Sequence, residues 1–159
     1  MQGWDNFLLA EAGASAALTG LIFVGVSLNL SKILAMPRLP NRALEALLLI
    51  TILVIASLLL VPDQSKTMIG AELTIAGFAC VSIMFRLDLR IRRDTDVKYR
   101  RAFLFNMVLS QIASLPYLIA GLLVLAGHIN GLYIMVIAMI FPFIKALLDA
   151  WVLLVEINR

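Results

Sequence analysis

The sequence predicts an all-α integral membrane bundle of five transmembrane helices, with its N-terminus outside the cytoplasm and its C-terminus inside. Three features predict it: an apolar composition, long apolar runs, and basic residues concentrated in alternate connecting loops. Of 159 residues, 62% are apolar and 14% charged, whereas an ordinary soluble domain carries roughly a quarter charged residues. A soluble chain this apolar would expose large greasy patches, and a bilayer solvent removes that problem. The length suits a single transmembrane domain, 1–159, nearly all of it taken up by the helices.

A helix crosses the hydrocarbon core with about 20 mostly apolar residues, at about 1.5 Å of rise each. Such runs fall at 7–34, 42–62, 67–87, 102–126 and 131–156. The first is long enough to tilt or to project beyond the membrane. Turn residues punctuate the runs: Pro37 and Pro40, then Pro62-Asp63, then a charged stretch, then Gly127 and Asn130-Gly131. Asn41 and Ser65 are the expected N-caps of the second and third helices. The opening Met1-Gln2-Gly3-Trp4-Asp5 lacks a basic n-region and the apolar stretch after it contains Glu11, so a retained first helix is expected rather than a cleaved signal.

Basic residues set the direction. None precedes Phe7; the first loop has Lys32, Arg38 and Arg42, and the second only Lys66. The third, spanning 86–101, holds seven of the 13 Lys and Arg residues, and the fourth holds none. Loops one and three should therefore face the cytoplasm. Trp4 and Tyr133 then fall at the outer interface, Tyr99 and Trp151 near the inner one. Within the third loop, Arg90, Arg92, Arg93, Lys98, Arg100 and Arg101 are expected to meet lipid headgroups or a partner, and nucleic acid is not expected. Asp88 with Arg92, Asp94 with Lys98 and Asp96 with Arg100 are acid-then-base pairs at i, i+4, so the third helix can continue into the cytoplasm or a short surface helix can lie there.

The first run is rich in small residues. Gly13 with Ala17, Ala12 with Ala16, and Ala16 with Gly20 recur four apart, a spacing that lets helices approach closely in lipid. The face Gly13, Ala16, Ala17 and Gly20 is expected either to pack within the chain or to join copies in a homo-oligomer. Glu11, Ser15 and Thr19 form a polar line on the same helix, at i, i+4 and i+8. Glu72 on the third helix lies at a depth similar to Glu11. If the two acids meet, they form a proton-accepting or cation-binding site; otherwise each is solvated at the headgroups.

The fifth run carries Lys145 near its middle and Asp149 one turn later. Charges at that depth should face the bundle interior. They make a structural ion pair or part of a pathway, with Glu45 of the second helix as a further partner. Pro142 and Pro116 interrupt the backbone hydrogen bonding of their helices, Pro116 beside Tyr117 and after Gln111 and Ser114. Ile55-Ala56-Ser57-Leu58 recurs as Ile112-Ala113-Ser114-Leu115, a weak sign of hairpin repeats.

Enzyme chemistry finds little support. His128 is the one histidine and Cys80 the one cysteine, which leaves no histidine or cysteine metal set, no serine–histidine triad within the spans and no intrachain disulfide. Phosphate-binding glycine loops are missing too. No catalytic residue, cofactor or metal is expected.

Trp4-Asp5-Asn6-Phe7, Ala12-Gly13-Ala14, Leu18-Thr19-Gly20-Leu21-Ile22-Phe23-Val24, Leu39-Pro40-Asn41-Arg42-Ala43-Leu44-Glu45 and Leu60-Val61-Pro62 together resemble a family of small uncharacterised bacterial membrane proteins. The resemblance covers about the first 62 residues. It implies a bacterial inner membrane and brings no catalytic residues. Some members are labelled modulators of a membrane-bound AAA protease. The better-known modulators have seven spans against five here, so that role is not carried over. The expected function is a homo-oligomeric ion or proton channel or transporter-like assembly in the lipid bilayer, because buried charges on several helices are costly. The alternative is a non-conducting regulatory or scaffold protein that binds another membrane protein.

Overall fold

In the computed structural model, residues 3–36, 39–46, 49–93 and 100–155 are described. All their regular elements are helical. In chain order these are α1 (Asp5–Leu28), α2 (Leu30–Leu34), α3 (Leu39–Ala46), α4 (Leu49–Leu59), α5 (Lys66–Arg93), α6 (Arg100–Leu125) and α7 (Leu132–Leu154), with a 3₁₀ turn at Ile129–Gly131 before α7. Five helical stretches are long and apolar enough to cross a membrane: Asp5–Leu28, Leu39–Leu59, Lys66–Arg93, Phe103–Leu125 and Ile129–Leu154.

Boundaries depart from the sequence reading where polar side chains compete with the backbone. The run 7–34 does not form one helix: α1 ends at Leu28 and α2 restarts at Leu30. Ser27 Oγ donates to the Phe23 carbonyl at 2.8 Å and Asn29 Nδ2 to that of Gly25 at 3.1 Å. Such bonds offer the backbone an alternative to continuing the helix. Asn41 does not cap the second span, since α3 already begins at Leu39. Pro40 is tolerated there because amides of the first turn need no helical partner. Ser65 does act as expected, its Oγ accepting from the Met68 amide at 3.2 Å just before α5.

The third helix runs on to Arg93, so Arg86, Arg90, Arg92 and Arg93 lie on a helix rather than in a loop. At 28 residues it is about 42 Å long by its rise, well beyond a hydrocarbon core of about 30 Å. Arg90, Arg92 and Arg93 are exposed at its end, as is Arg101 at the start of α6. Asp94, Asp96, Lys98 and Tyr99 lie outside the described residues, as does the side chain of Arg100.

Packing fixes the core. α5 and α6 make the closest helix pair, α6 lies against α7, and α1 lies along α4. Glycines bring α5 and α6 together: a Cβ at Gly77 would stand 2.5 Å from the Leu118 nitrogen, and one at Gly121 would stand 2.4 Å from that of Thr74. This is the close approach that small residues permit between helices in lipid. Leu73, Tyr117, Ala120, Met135 and Ala138 fill the same interior. Outside it, large apolar side chains such as Leu21, Phe78, Phe105 and Leu147 are exposed, as lipid-facing residues should be.

The loops close one end of the bundle. Trp4 meets Tyr133 edge-on, with ring centroids 5.4 Å apart, so the starts of α1 and α7 lie together. Asp5 also lines a cavity of about 670 Å³ with Val61, Pro62, Asp63 and Gln64, which places the α4–α5 turn at this end. After α6, His128 N–H donates to the Leu123 carbonyl and Gly127 N–H to that of Val124. That pair of bonds is a Schellman cap, and it needs the left-handed φ of 92° that Gly127 adopts. The two Ile-Ala-Ser-Leu stretches differ in setting, with Ser57 exposed and Ser114 buried.

Candidate functional site

The buried charges gather in one place, toward the end of the bundle away from Trp4. Four ionisable side chains from three helices are almost inaccessible: Glu45 of α3 is 1% exposed, Asp88 of α5 0%, and Lys145 and Asp149 of α7 3% and 0%. Each lies on the inward stripe of its helix. On α7 the buried positions run Met135, Ala138, Met139, Pro142, Lys145, Ala146, Asp149 and Leu153, a spacing of three and four that carries the two charges into the interior. On α5 the stripe Leu73, Gly77, Cys80, Met84 reaches Asp88 one turn further on.

Lys145 is the hub. Its Nζ donates to Glu45 Oε2 at 2.9 Å and also to Asp149 Oδ2, the i, i+4 contact anticipated on α7. Asn106 Nδ2 of α6 donates to the same Glu45 Oε2 at 2.9 Å. Gln111 Nε2, also from α6, donates to Asp88 Oδ2 at 3.2 Å. Glu45 and Lys145 are the charged neighbours that act on Asp88. The sequence reading thus placed Glu45, Lys145 and Asp149 together correctly. It did not place Asp88, Asn106 or Gln111 in this cluster, and it paired Asp88 with Arg92. Asp88 instead turns into the bundle to Gln111 while Arg92 is exposed, because position 88 continues the buried stripe.

From the cluster a polar line follows α6. Ser110 Oγ donates to the Asn106 carbonyl at 3.1 Å and Ser114 Oγ to the Ser110 carbonyl at 2.9 Å; both serines are buried. Tyr117 comes one turn later, fully buried and within electrostatic range of Glu11 on α1. From Asn106 to Tyr117 the line covers about 16 Å at the helical rise, roughly half of the hydrocarbon thickness. Tyr117 Oη and Glu11 Oε2 are both buried with no hydrogen-bond partner among the described residues, as is Thr19 Oγ1. Ser15, also buried, is spent on its own helix, donating to the Ala12 carbonyl at 3.0 Å.

Glu72 is engaged at the Trp4 end of the bundle. Both oxygens of Glu72 accept from Gln64 Nε2 at 2.9 Å, on the loop beside the Trp4-end cavity. Glu11 lies on the same side of α1 as the buried Leu8, Ser15 and Ile22.

The opposite side of α1 is the small-residue face, and it does not pack within the chain. Gly13, Ala16, Ala17 and Gly20 are all exposed, and a Cβ at Gly13 or Gly20 would meet nothing within 4 Å. The close helix–helix contact of this chain is made by Gly77 and Gly121. Among the described residues, no group of three or more His, Cys, Asp or Glu side chains is arranged to hold a metal ion. No family model, no curated protein and no solved structure matches the chain.

Proposed function

We propose that this protein moves protons or another small cation across a bacterial inner membrane, with the Glu45–Asp88–Lys145–Asp149 cluster as its binding station. The observation that carries the reading is the burial of four ionisable groups on three helices, continued along α6 by Asn106, Ser110, Ser114 and Tyr117 toward Glu11. Charges within a membrane bundle are expensive, and a chain that only spanned the bilayer would be more stable with apolar residues there. A file of hydroxyls and carboxyls spaced one turn apart is also what a proton relay needs. In this reading the Trp4 end faces outward, as the basic residues of the loops indicate. Its cavity, lined by Asp5 and Asp63 and flanked by Glu72, draws cations to the mouth.

The test is proton and alkali-cation flux through purified protein in liposomes. Glu11→Gln and Tyr117→Phe remove single polar groups with little change of shape. We expect each to cut flux at least tenfold while assembly and helicity stay unchanged. Wild-type flux in both variants would sink the α6 path.

A second reading keeps a specific observation of its own: the bare small-residue face of α1 and the exposed Arg90, Arg92 and Arg93. These surfaces fit a homo-oligomer or a regulatory scaffold that docks on another membrane protein. A scaffold predicts no flux under any gradient and loss of partner capture when the three arginines are neutralised.

A further inference from the structure

Within the buried cluster, two carboxylate oxygens receive no hydrogen bond from the described residues: Glu45 Oε1 and Asp88 Oδ1. The hydrogen bonds that described residues make to these two side chains use the opposite oxygen, with Lys145 and Asn106 on Glu45 Oε2 and Gln111 on Asp88 Oδ2. Glu45 on α3 and Asp88 on α5 are electrostatic neighbours where the two helices meet. Ionised carboxylates offer lone pairs only, so a bond between them requires a hydrogen that neither has when both are charged. Two neighbouring negative charges away from water also repel strongly. One hydrogen placed between them removes the repulsion and satisfies both orphan atoms.

We propose that Glu45 and Asp88 hold a single proton between Glu45 Oε1 and Asp88 Oδ1, and that this pair is the proton-binding site of the protein. The surroundings agree from each helix. From α6 come Asn106, Ser110, Gln111 and Ser114, all uncharged. From α7 come Lys145, seated on the far oxygen of Glu45, and Asp149, which is held by Lys145 and a further contact. A sodium or calcium ion fits this donor set poorly. Such ions take about six oxygen ligands, whereas Asn106 and Gln111 present N–H groups here and an ammonium stands 2.9 Å from Glu45. The proposal deepens the transport reading and rests on it for the site's purpose, while occupancy of the site is measurable without flux.

The test is infrared difference spectroscopy of the full chain in phosphatidylcholine vesicles, with deuterium exchange to mark protonated carboxyls. At neutral pH the wild type should show a protonated-carboxyl band worth one group per chain, unchanged by added sodium or potassium. Asp88→Asn and Glu45→Gln should each abolish it, because the new amide N–H replaces the shared hydrogen and leaves the remaining carboxylate ionised. No band at neutral pH, a band that survives in either variant, or a band lost on adding sodium overturns the proposal. The wild type alone decides the first and last of these, so a variant that fails to fold does not shield the idea. A band without flux would keep the pair and remove transport; flux without a band would do the reverse.

Discussion

Lys145 shows how one residue ties the interior together. Its ammonium neutralises carboxylates from two helices, Glu45 and Asp149, at a depth where an isolated charge is unsustainable. Lys145→Met should therefore lower stability by about 3–5 kcal/mol, the usual cost of leaving a buried charge unpaired. Adding Glu45→Gln to the same chain should restore part of that loss, which thermal melting in detergent can read. A smaller effect follows at Asn106, one of two donors to Glu45 Oε2. Asn106→Ala should cost about 1.5–3 kcal/mol, the range for a hydrogen bond to a charged group. The charges on α7 are legible in the sequence because Lys145 and Asp149 stand alone in apolar surroundings. Asp88 is not, because it sits among Arg86, Arg90, Arg92 and Arg93 and looks like one more surface acid. The signal that finds it is the stripe Gly77, Cys80, Met84, Asp88, in which a carboxyl takes the next buried position.

At the scale of the elements, small residues decide which helices touch. Gly13, Ala16, Ala17 and Gly20 catch the eye in the sequence because they crowd one segment, yet the tight contact belongs to Gly77 and Gly121, scattered on α5 and α6. Spacing identifies a face able to approach another helix; it does not say which helix arrives. Gly121→Leu would drive a side chain into the Thr74 backbone and should cost about 1–3 kcal/mol or more of overpacking strain. Gly20→Leu, at an open position of α1, should leave the melting temperature of the single chain unchanged. The cap after α6 is a separate case. Gly127 holds a φ of 92°, so Gly127→Ala should cost about 1 kcal/mol through backbone strain although no atom is crowded. The five apolar runs are readable in the sequence, but their ends are less so: α1 stops six residues before its run does and α5 continues six residues past its run, for local reasons. The break at Asn29 comes from Ser27 and Asn29 bonding back to their own helix, which hydropathy does not register.

For the whole molecule the question is what covers α1. Of its apolar stretch 22% is buried inside the chain, against 44% for the last span. Its outward side offers lipid a strip of Gly and Ala with no side-chain bulk, where another helix would gain close backbone contact that acyl chains cannot match. On the transport reading this face joins copies, and each copy keeps its own polar interior. Gly13→Leu with Gly20→Leu then becomes a clean probe, because neither position touches the rest of its own chain. Native mass spectrometry from mild detergent should show a defined oligomer for the wild type and a single chain for the double variant, with helicity unchanged. Flux per chain should survive dissociation, since Glu45, Asp88, Lys145 and Tyr117 all come from one subunit. Flux that disappears with the oligomer would instead place the path between copies, along α1 rather than along α6. A wild type that is already a single chain would leave the face to lipid and remove assembly from the reading, with the buried cluster standing as before.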